Sequence, residues 1–511
     1  MTSTSQRSPE ARRAVITLSV MLATIMQALD TTIANVALPH IQGTMGTTQE
    51  QINWVLTSYV IAAAIATPLT GFLSSRFGRK RILIWSTVGF TITSMMCGAA
   101  QTLEQIVTFR ILQGIFGASL VPLSQSLLLD TYPKEKHGSA MAMWGVGVMV
   151  GPILGPTLGG WLTEYYSWHW VFYINLPFGV LAWLGLATSV QESPIDTTRK
   201  FDYLGFTLLA IAIGAFQLML DRGESLDWFA SGEILIEGFL AGLCLYLFVV
   251  HTCTHPQPFI NPDMFRDRNL CMGLIFIFLV GIVLLATMAL LPPFMQNLLG
   301  YPVLDVGYVL APRGFGTMVA MLLVGRLISK VDPRPLIALG LLLTSLSLWE
   351  MTQFNLDSSS ADIIRTGITQ GFGLGLIFTP LTTISFSTLA PAFRNEGTAL
   401  YSLLRNVGSG IGISIVITYL SQRTQINHAA LTGYLTPFSQ PLQLAVQAGV
   451  YDLDTTAGLM KLDKEVARQA ATLAYLQDFR LMMFITLAAL PMTLLLRVPA
   501  RNPPPAYAIA E

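Results

Sequence analysis

The sequence predicts an all-α polytopic membrane protein, and three observations predict it. The 511 residues are 52% hydrophobic and only 11% charged, a charged share about half that of ordinary soluble domains. Apolar stretches of about 17 to 25 residues, long enough to cross a hydrocarbon core as helices, recur along the chain. Segments of its first part also return, in the same order, in its second. With 29 Lys+Arg against 29 Asp+Glu the net charge is zero, so no overall field draws the chain to nucleic acid. The four cysteines lie within or beside apolar segments and form no C-x-x-C pair, which argues against a disulfide framework and redox chemistry.

Fourteen spans are expected: 14–38, 53–74, 82–100, 105–129, 139–161, 169–190, 203–220, 234–250, 270–293, 304–328, 334–351, 362–388, 398–420 and 479–498. The first follows the basic stretch "SPEARRA" and runs on without an A-x-A-like cleavage site, so it reads as a retained span rather than a signal peptide. Basic residues stay preferentially in cytoplasmic loops. With both termini placed inside, the cytoplasmic segments hold 19 of the 29 Lys and Arg, and the short outer loops hold only Arg222. The long segment 421–478 lies outside, where long loops are largely exempt from that rule. It contains "GLMKLDKEVARQAATLAYL", whose Leu459, Leu462, Val466, Ala470 and Leu473 recur at helical spacing.

The repeat divides these spans. "GFLSSRFGRK" from 71 returns as "GRLISKVDPR" from 325, "QGIFGASLVP" from 113 as "QGFGLGLIFTP" from 370, and "KHGSA" from 136 as "NEGTA" from 395. Two parallel halves follow, as in one large class of transporters. The expected organisation is a cytoplasmic N-terminus (1–13), a six-helix half (14–190), an inserted two-helix hairpin (203–250), a second six-helix half (270–498) that includes the outer segment 421–478, and a cytoplasmic tail (499–511).

Charged residues near the middle of a span cost about 2.5–3.5 kcal/mol each on insertion scales, so they face a protein interior or a watery cavity. Asp30, in "LDTTIANVALP" from 29, is the only acid expected deep in a span. Burial raises a carboxyl pKa and a neighbouring cation lowers it, so such a group can load and unload a proton as its surroundings change. A carboxylate that merely locks two helices is the plainer role. Helix rise puts Arg110 within about one turn of the depth of Asp30 and makes it the candidate partner, with Gln113 one turn further on as a candidate substrate contact. For Arg313, Arg365 and Arg405, contacts with backbone carbonyls are as good an expectation as a part in transport.

Gly71 and Gly78 permit close approach in the short basic turn "GFLSSRFGRKR". There Arg76 and Arg79 are candidates for a cytoplasmic gate that binds acids or helix ends of the other half, with Asp130 as a counter-charge. In "GVGVMVGPILGPTLGG", Gly147, Gly151, Gly155 and Gly159 recur every fourth residue and flatten one helix face, while Pro152 and Pro156 loosen the backbone ladder. Tight packing explains part of this, and flexibility at an interface between the halves is the added expectation. "HTCTH" from 251 spaces His251, Cys253 and His255 like ligands but lacks a fourth, so no metal site is expected.

These motifs resemble those of the major facilitator superfamily, and within it the fourteen-span drug:proton antiporters, over nearly all of 14–498. "LDTTIANVALP" is similar to that subfamily's first-span signature, "GFLSSRFGRK" to motif A, "RILQGIFGA" to motif B and "GVGVMVGPILGPTLGG" to the antiporter motif C. "FQLMLDRGESLDWF" from 216 and "PLSQSLLLDTYP" from 122 are similar to the EmrB-type multidrug exporters of Gram-negative bacteria. The resemblance implies rocker-switch exchange of protons for hydrophobic or amphipathic drugs across the bacterial inner membrane. Asp30 and Arg110 would couple the proton, with no cofactor beyond it. It also implies a periplasmic membrane-fusion adaptor of the EmrA type and an outer-membrane channel of the TolC type as partners. Ser75 stands where motif A usually carries an acid, which leaves the usual charge relay incomplete. Catalysis is not expected: no Ser/His/Asp grouping, metal-ligand cluster or G-x-x-x-x-G-K-[ST] loop is present.

Overall fold

The computed structural model describes residues 9–497 except 193, 197, 199, 329 and 437. The first eight residues of the expected N-terminal segment and the expected tail 499–511 lie outside the described residues. All the regular structure among the described residues is helical. The first half contains α1 (Pro9–Met45), α2 (Gln49–Ala66), α3 (Leu69–Phe77), α4 (Arg79–Gly98), α5 (Leu103–Gly117), α6 (Leu120–Thr131), α7 (His137–Tyr165), α8 (Trp170–Tyr173) and α9 (Asn175–Ser189). The hairpin is α10 (Tyr203–Arg222) and α11 (Gly232–Thr254). The second half contains α12 (Arg268–Pro293), α13 (Val303–Leu327), α14 (Pro333–Met351), α15 (Ser360–Ser385), α16 (Arg394–Tyr434), α17 (Gln440–Gln447) and α18 (Thr456–Ala488).

Polar residues stand where helices begin. The side chains of Thr48, Thr102, Asp202, Asp267, Asp332, Ser359 and Thr455 each accept a backbone N–H of the first turn they precede. Among the described residues eleven helical segments are long and apolar enough to cross a membrane, or twelve if α2 and α3, bent by 55° at their junction, count as one. The bend falls at Pro68, which has no N–H to continue the ladder. Of the fourteen expected spans, the remaining two are occupied by α4 and α15, helices of 20 and 26 residues. Their Thr, Ser and Gly lower the mean hydropathy, but Thr87, Thr91, Ser94, Thr366, Gln370 and Thr379 are buried against other helices rather than turned to lipid.

Packing follows the repeat: α1 lies on α7, α2 on α5, and α4 on α5 and α9, while α12 lies on α16, α13 on α15, and α14 on α15 and α18. The start of α1 and the stretch after α18 lie on one face. Arg12 Nε donates to Ser189 O, and Asn269 Nδ2 donates to Arg497 O, each at 2.8 Å, so in each half the start of the first helix meets the end of the last. The seam between the halves is mainly α7 against α13. The inserted hairpin rides at the side, α10 touching α2 and α16, with α11 outermost and its Ile236, Phe239 and Tyr246 exposed.

On the opposite face the segment 421–478, expected outside, is largely helical rather than a loop. The 41 residues of α16 extend about 60 Å at 1.5 Å per residue, roughly twice a hydrocarbon core. It projects alongside α18, to which it is tied by Asn427 Nδ2 donating to Ala470 O at 3.2 Å and by His428 against Asp463 at 3.0 Å. The last expected span, 479–498, is accordingly the final part of α18, which stops at Ala488 before a short 3-10 turn at Pro491–Leu495.

Candidate functional site

Asp30 lies in the middle of α1 and is fully buried. The structure brings Arg110 of α5 to it: Nη1 donates to Asp30 Oδ2 at 2.6 Å. Gln113 Nε2 and Asn175 Nδ2 both donate to Oδ1 at 2.9 Å, so the carboxylate accepts from three side chains. The guanidinium is equally committed, with Nε donating to Val55 O at 3.0 Å, Nη1 also reaching Gln113 Oε1 at 2.8 Å, and the Tyr59 ring 4.2 Å from Cζ. Ionised partners shorten and strengthen such bonds, and the full set of donors is what makes a buried charge tolerable.

Gln113, expected as a substrate contact, is instead spent inside this network. Its amide nitrogen goes to Asp30, and its oxygen accepts from Arg110 and, at 3.6 Å, from Cys97 Sγ. Asn175, Ser94 and Tyr59 were not anticipated. Asn175 opens α9 after the break at α8 and also donates to Ser94 Oγ at 2.9 Å, and Ser94 Oγ donates in turn to Phe172 O at 2.8 Å. The available signal was an asparagine inside the apolar run "FYINLPFG".

The second half repeats the frame without the charge. Asp30 and Gln113 are separated by 83 positions, as are Thr287 and Gln370, and Gln370 Nε2 donates to Thr287 Oγ1 at 3.3 Å. A neutral hydroxyl thus stands where the first half has a carboxylate. Arg313 is buried on α13 with Nη2 3.4 Å from Leu284 O, while Arg365 is exposed and lies 3.9 Å from Glu350. Arg405 Nη2 donates to Asn406 Oδ1 at 3.5 Å. The structure also corrects the expectation that Asp30 is the only deep acid. Asp478 on α18, just before the expected last span, is fully buried as well.

On the face that carries the start of α1, Asp130 closes α6 and joins the halves. Its Oδ2 accepts from Arg79 Nη1 at 2.5 Å, and its Oδ1 pairs with Arg394 Nη1, at the start of α16 in the opposite half. Arg79 also donates to Ser126 Oγ at 3.0 Å, and Ser126 Oγ donates to Asn395 Oδ1 at 2.5 Å. Gly71 lets α3 approach α16, since a Cβ there would come within 2.8 Å of Glu396 Cγ and 3.1 Å of its Cα. Gly78 has φ 92° at the N-cap of α4, and a side chain there would displace the Glu192 carboxylate, which accepts from Lys80 N at 3.0 Å. Arg76 occupies the last turn of α3, where a cation complements the helix dipole. Ser75 Oγ turns back to Gly71 O at 2.9 Å.

The glycine stripe of α7 faces α1, within its own half, rather than the interface between halves. A Cβ on Gly151 would run into the backbone carbonyl of Ala28, one on Gly155 into Thr32, and one on Gly159 would lie 2.9 Å from Ile33 Cγ1. Thr32 Oγ1 donates to Gly151 O across that contact at 3.0 Å. Another face of α7 meets α13, pairing Gly145 with Met321, Ile153 with Gly314 and Gly160 with Leu304. The prolines, Pro152 and Pro156, sit inside the helix between these two surfaces.

At the hairpin, Asp202, His251 and His255 hold potential ligand atoms within 4.8 Å of one another, and Cys253 is outside the group. Asp202 already accepts from Gly205 N and Phe259 N at 2.9 and 3.0 Å. Burial pushes its carboxyl up, but those N–H groups and His251 outweigh it and hold the pKa below the ordinary value.

The structure thus holds a sealed charge pair inside the first half and a two-sided ion pair between the halves. Residues 20–413 match the Major Facilitator Superfamily. The chain belongs to that superfamily. It is 39% identical over 433 residues to the fatty acid resistance protein FarB of Neisseria gonorrhoeae, covering 84% of this chain and 85% of that one. It is 37% identical over 435 residues to the multidrug export protein EmrB of Escherichia coli, covering 85% of each. It is therefore an EmrB-type member of the superfamily. Among solved structures, the proton:xylose symporter XylE shares the fold at a TM-score of 0.58 and 14% identity, covering 94% of this chain and 96% of that one.

Proposed function

We propose that this superfamily member is a proton-coupled multidrug antiporter that exports hydrophobic or amphipathic compounds. The names of its relatives, a multidrug exporter and a fatty acid resistance protein, support that substrate class. The observation that carries the coupling is the sealed group of Asp30, Arg110, Gln113 and Asn175. A proton arriving on Asp30 removes the charge that holds Arg110. The freed guanidinium and the two amides must then find other partners, and helices α1, α5 and α9 shift against one another. Loss of the proton restores the pair. One charge moved across about 100 mV releases roughly 2.3 kcal/mol, which at about 1.36 kcal/mol per tenfold sustains a gradient of about fifty-fold.

The pump works in the bacterial inner membrane with cytoplasmic termini, on a periplasmic adaptor and an outer-membrane channel. What favours this is the projecting end of α16 and α18 on the face opposite the start of α1, where Tyr434, Phe438, Leu444 and Met460 are exposed. Proteoliposomes carrying the full chain and an imposed pH difference test the coupling, with tetraphenylphosphonium and oleate as probes. The native chain accumulates probe uphill; Asp30→Asn should equilibrate it downhill only. Uphill accumulation by the variant would overturn the reading.

A further inference from the structure

The second buried acid is unused by the mechanism above. Asp478 is 0% exposed, and neither carboxylate oxygen has a hydrogen-bond partner. Beside it stand Tyr475, Phe479 and Met482 of α18, Met351 of α14, Phe354 just beyond α14 and Phe294 of the turn after α12, members of one apolar cluster. The titratable and charged groups near its level on the packed elements are Tyr475 and the exposed Arg480 on its own helix, Tyr419 and Arg423 on α16, and Glu350 on α14. Arg423 lies over the Tyr419 ring at 4.9 Å, Glu350 is 3.9 Å from Arg365, and α12 contributes no charged side chain between residues 272 and 293.

An isolated ionised carboxylate in such surroundings is far more costly than a neutral acid with an unmet hydroxyl. The contrast with Asp30 is direct, because Asp30 has three donors and a guanidinium while Asp478 has none. We propose that Asp478 is a second proton-binding group, in the second half, loaded while its carboxyl stays sealed among these apolar side chains. Its release requires that α18 part from α12 and α14 and admit water to the carboxyl, a shift of helices within this half like the one proposed for α1, α5 and α9 in the first. The release step rests on the proton-coupled reading of Asp30.

Infrared spectra of the purified full chain in lipid nanodiscs at neutral pH test the loaded state. A carbonyl band of a protonated carboxylic acid, moved by carbon-13 labelling of aspartate, should be present in the native chain and in Asp30→Asn and missing from Asp478→Asn. Asparagine matches the neutral acid in shape, so packing should survive; absence of the band from the native chain overturns the proposal without any variant. Proton release on adding tetraphenylphosphonium or oleate tests the exchange, and Asp478→Asn should release one proton fewer per probe bound. Full release by Asp478→Asn with loss in Asp30→Asn sinks the second site and leaves the first. Full release by Asp30→Asn with loss in Asp478→Asn does the reverse.

Discussion

At the scale of single residues, Arg110 shows why a basic side chain deep in a span is not replaceable by any other cation. Its Nε, its Nη1 and the face of its guanidinium each meet a different partner, a geometry that lysine's single ammonium cannot reproduce. Removing one member of a buried pair strands the other, at about 3–5 kcal/mol. Arg110→Ala should therefore lower the thermal midpoint sharply in nanodiscs. The double variant Arg110→Ala with Asp30→Asn should recover part of the loss, because no charge is left unpaired. Additive losses in a thermal-unfolding cycle would show that the two residues do not act as a pair.

At the scale of helices, the glycines of α7 differ in what stands opposite them. Gly147 faces the flexible end of Met21, with Cε 3.4 Å from a built Cβ, whereas Gly151 faces the backbone of Ala28, which cannot rotate aside. Gly147→Ala should be tolerated. Gly151→Ala should cost about 1–3 kcal/mol by overpacking and depress export, since it displaces α1, which carries Asp30. Equal melting temperatures and equal export for the two variants would remove this role for the stripe. The projecting helices allow a separate test. Deleting 430–470 should abolish capture of an EmrA-type adaptor while the remaining chain still binds probe; retained capture would place the docking surface elsewhere.

At the scale of the whole molecule, the halves meet where α7 lies on α13 and α15 and where α16 lies on α6 and α3. The α7–α13 seam is apolar and close, whereas the contact on the face that carries the start of α1 depends on Asp130, whose side chain keeps 34% exposure. Solvent screens such a pair, so its loss is worth about 1 kcal/mol rather than the several of a sealed one. Arg394→Ala should shift the balance between the two carrier conformations about fivefold toward opening at that face. Pulsed spin-label distances between α6 and α16 would read this directly, and an unchanged distribution would exclude a gating role. Arg394 escaped sequence reasoning because it sits beside the repeat "NEGTA" with no partner nearby in the chain.

The sequence by itself determined the helical class; it also set out an expected division into parallel halves with a hairpin between them, and named Arg110 as the candidate partner of Asp30. These follow from local quantities: stretch length, the cost of a charge in hydrocarbon, and the order of repeated segments. Only the tertiary structure decided that Asn175 and Gln113 complete the carboxylate's shell, that Arg394 answers Asp130, that the glycine stripe faces α1, and that Asp478 is sealed without a partner. Those outcomes depend on how helices distant in sequence rotate about their own axes when packed. Residue spacing says which side chains share a face, but not which neighbour that face will meet.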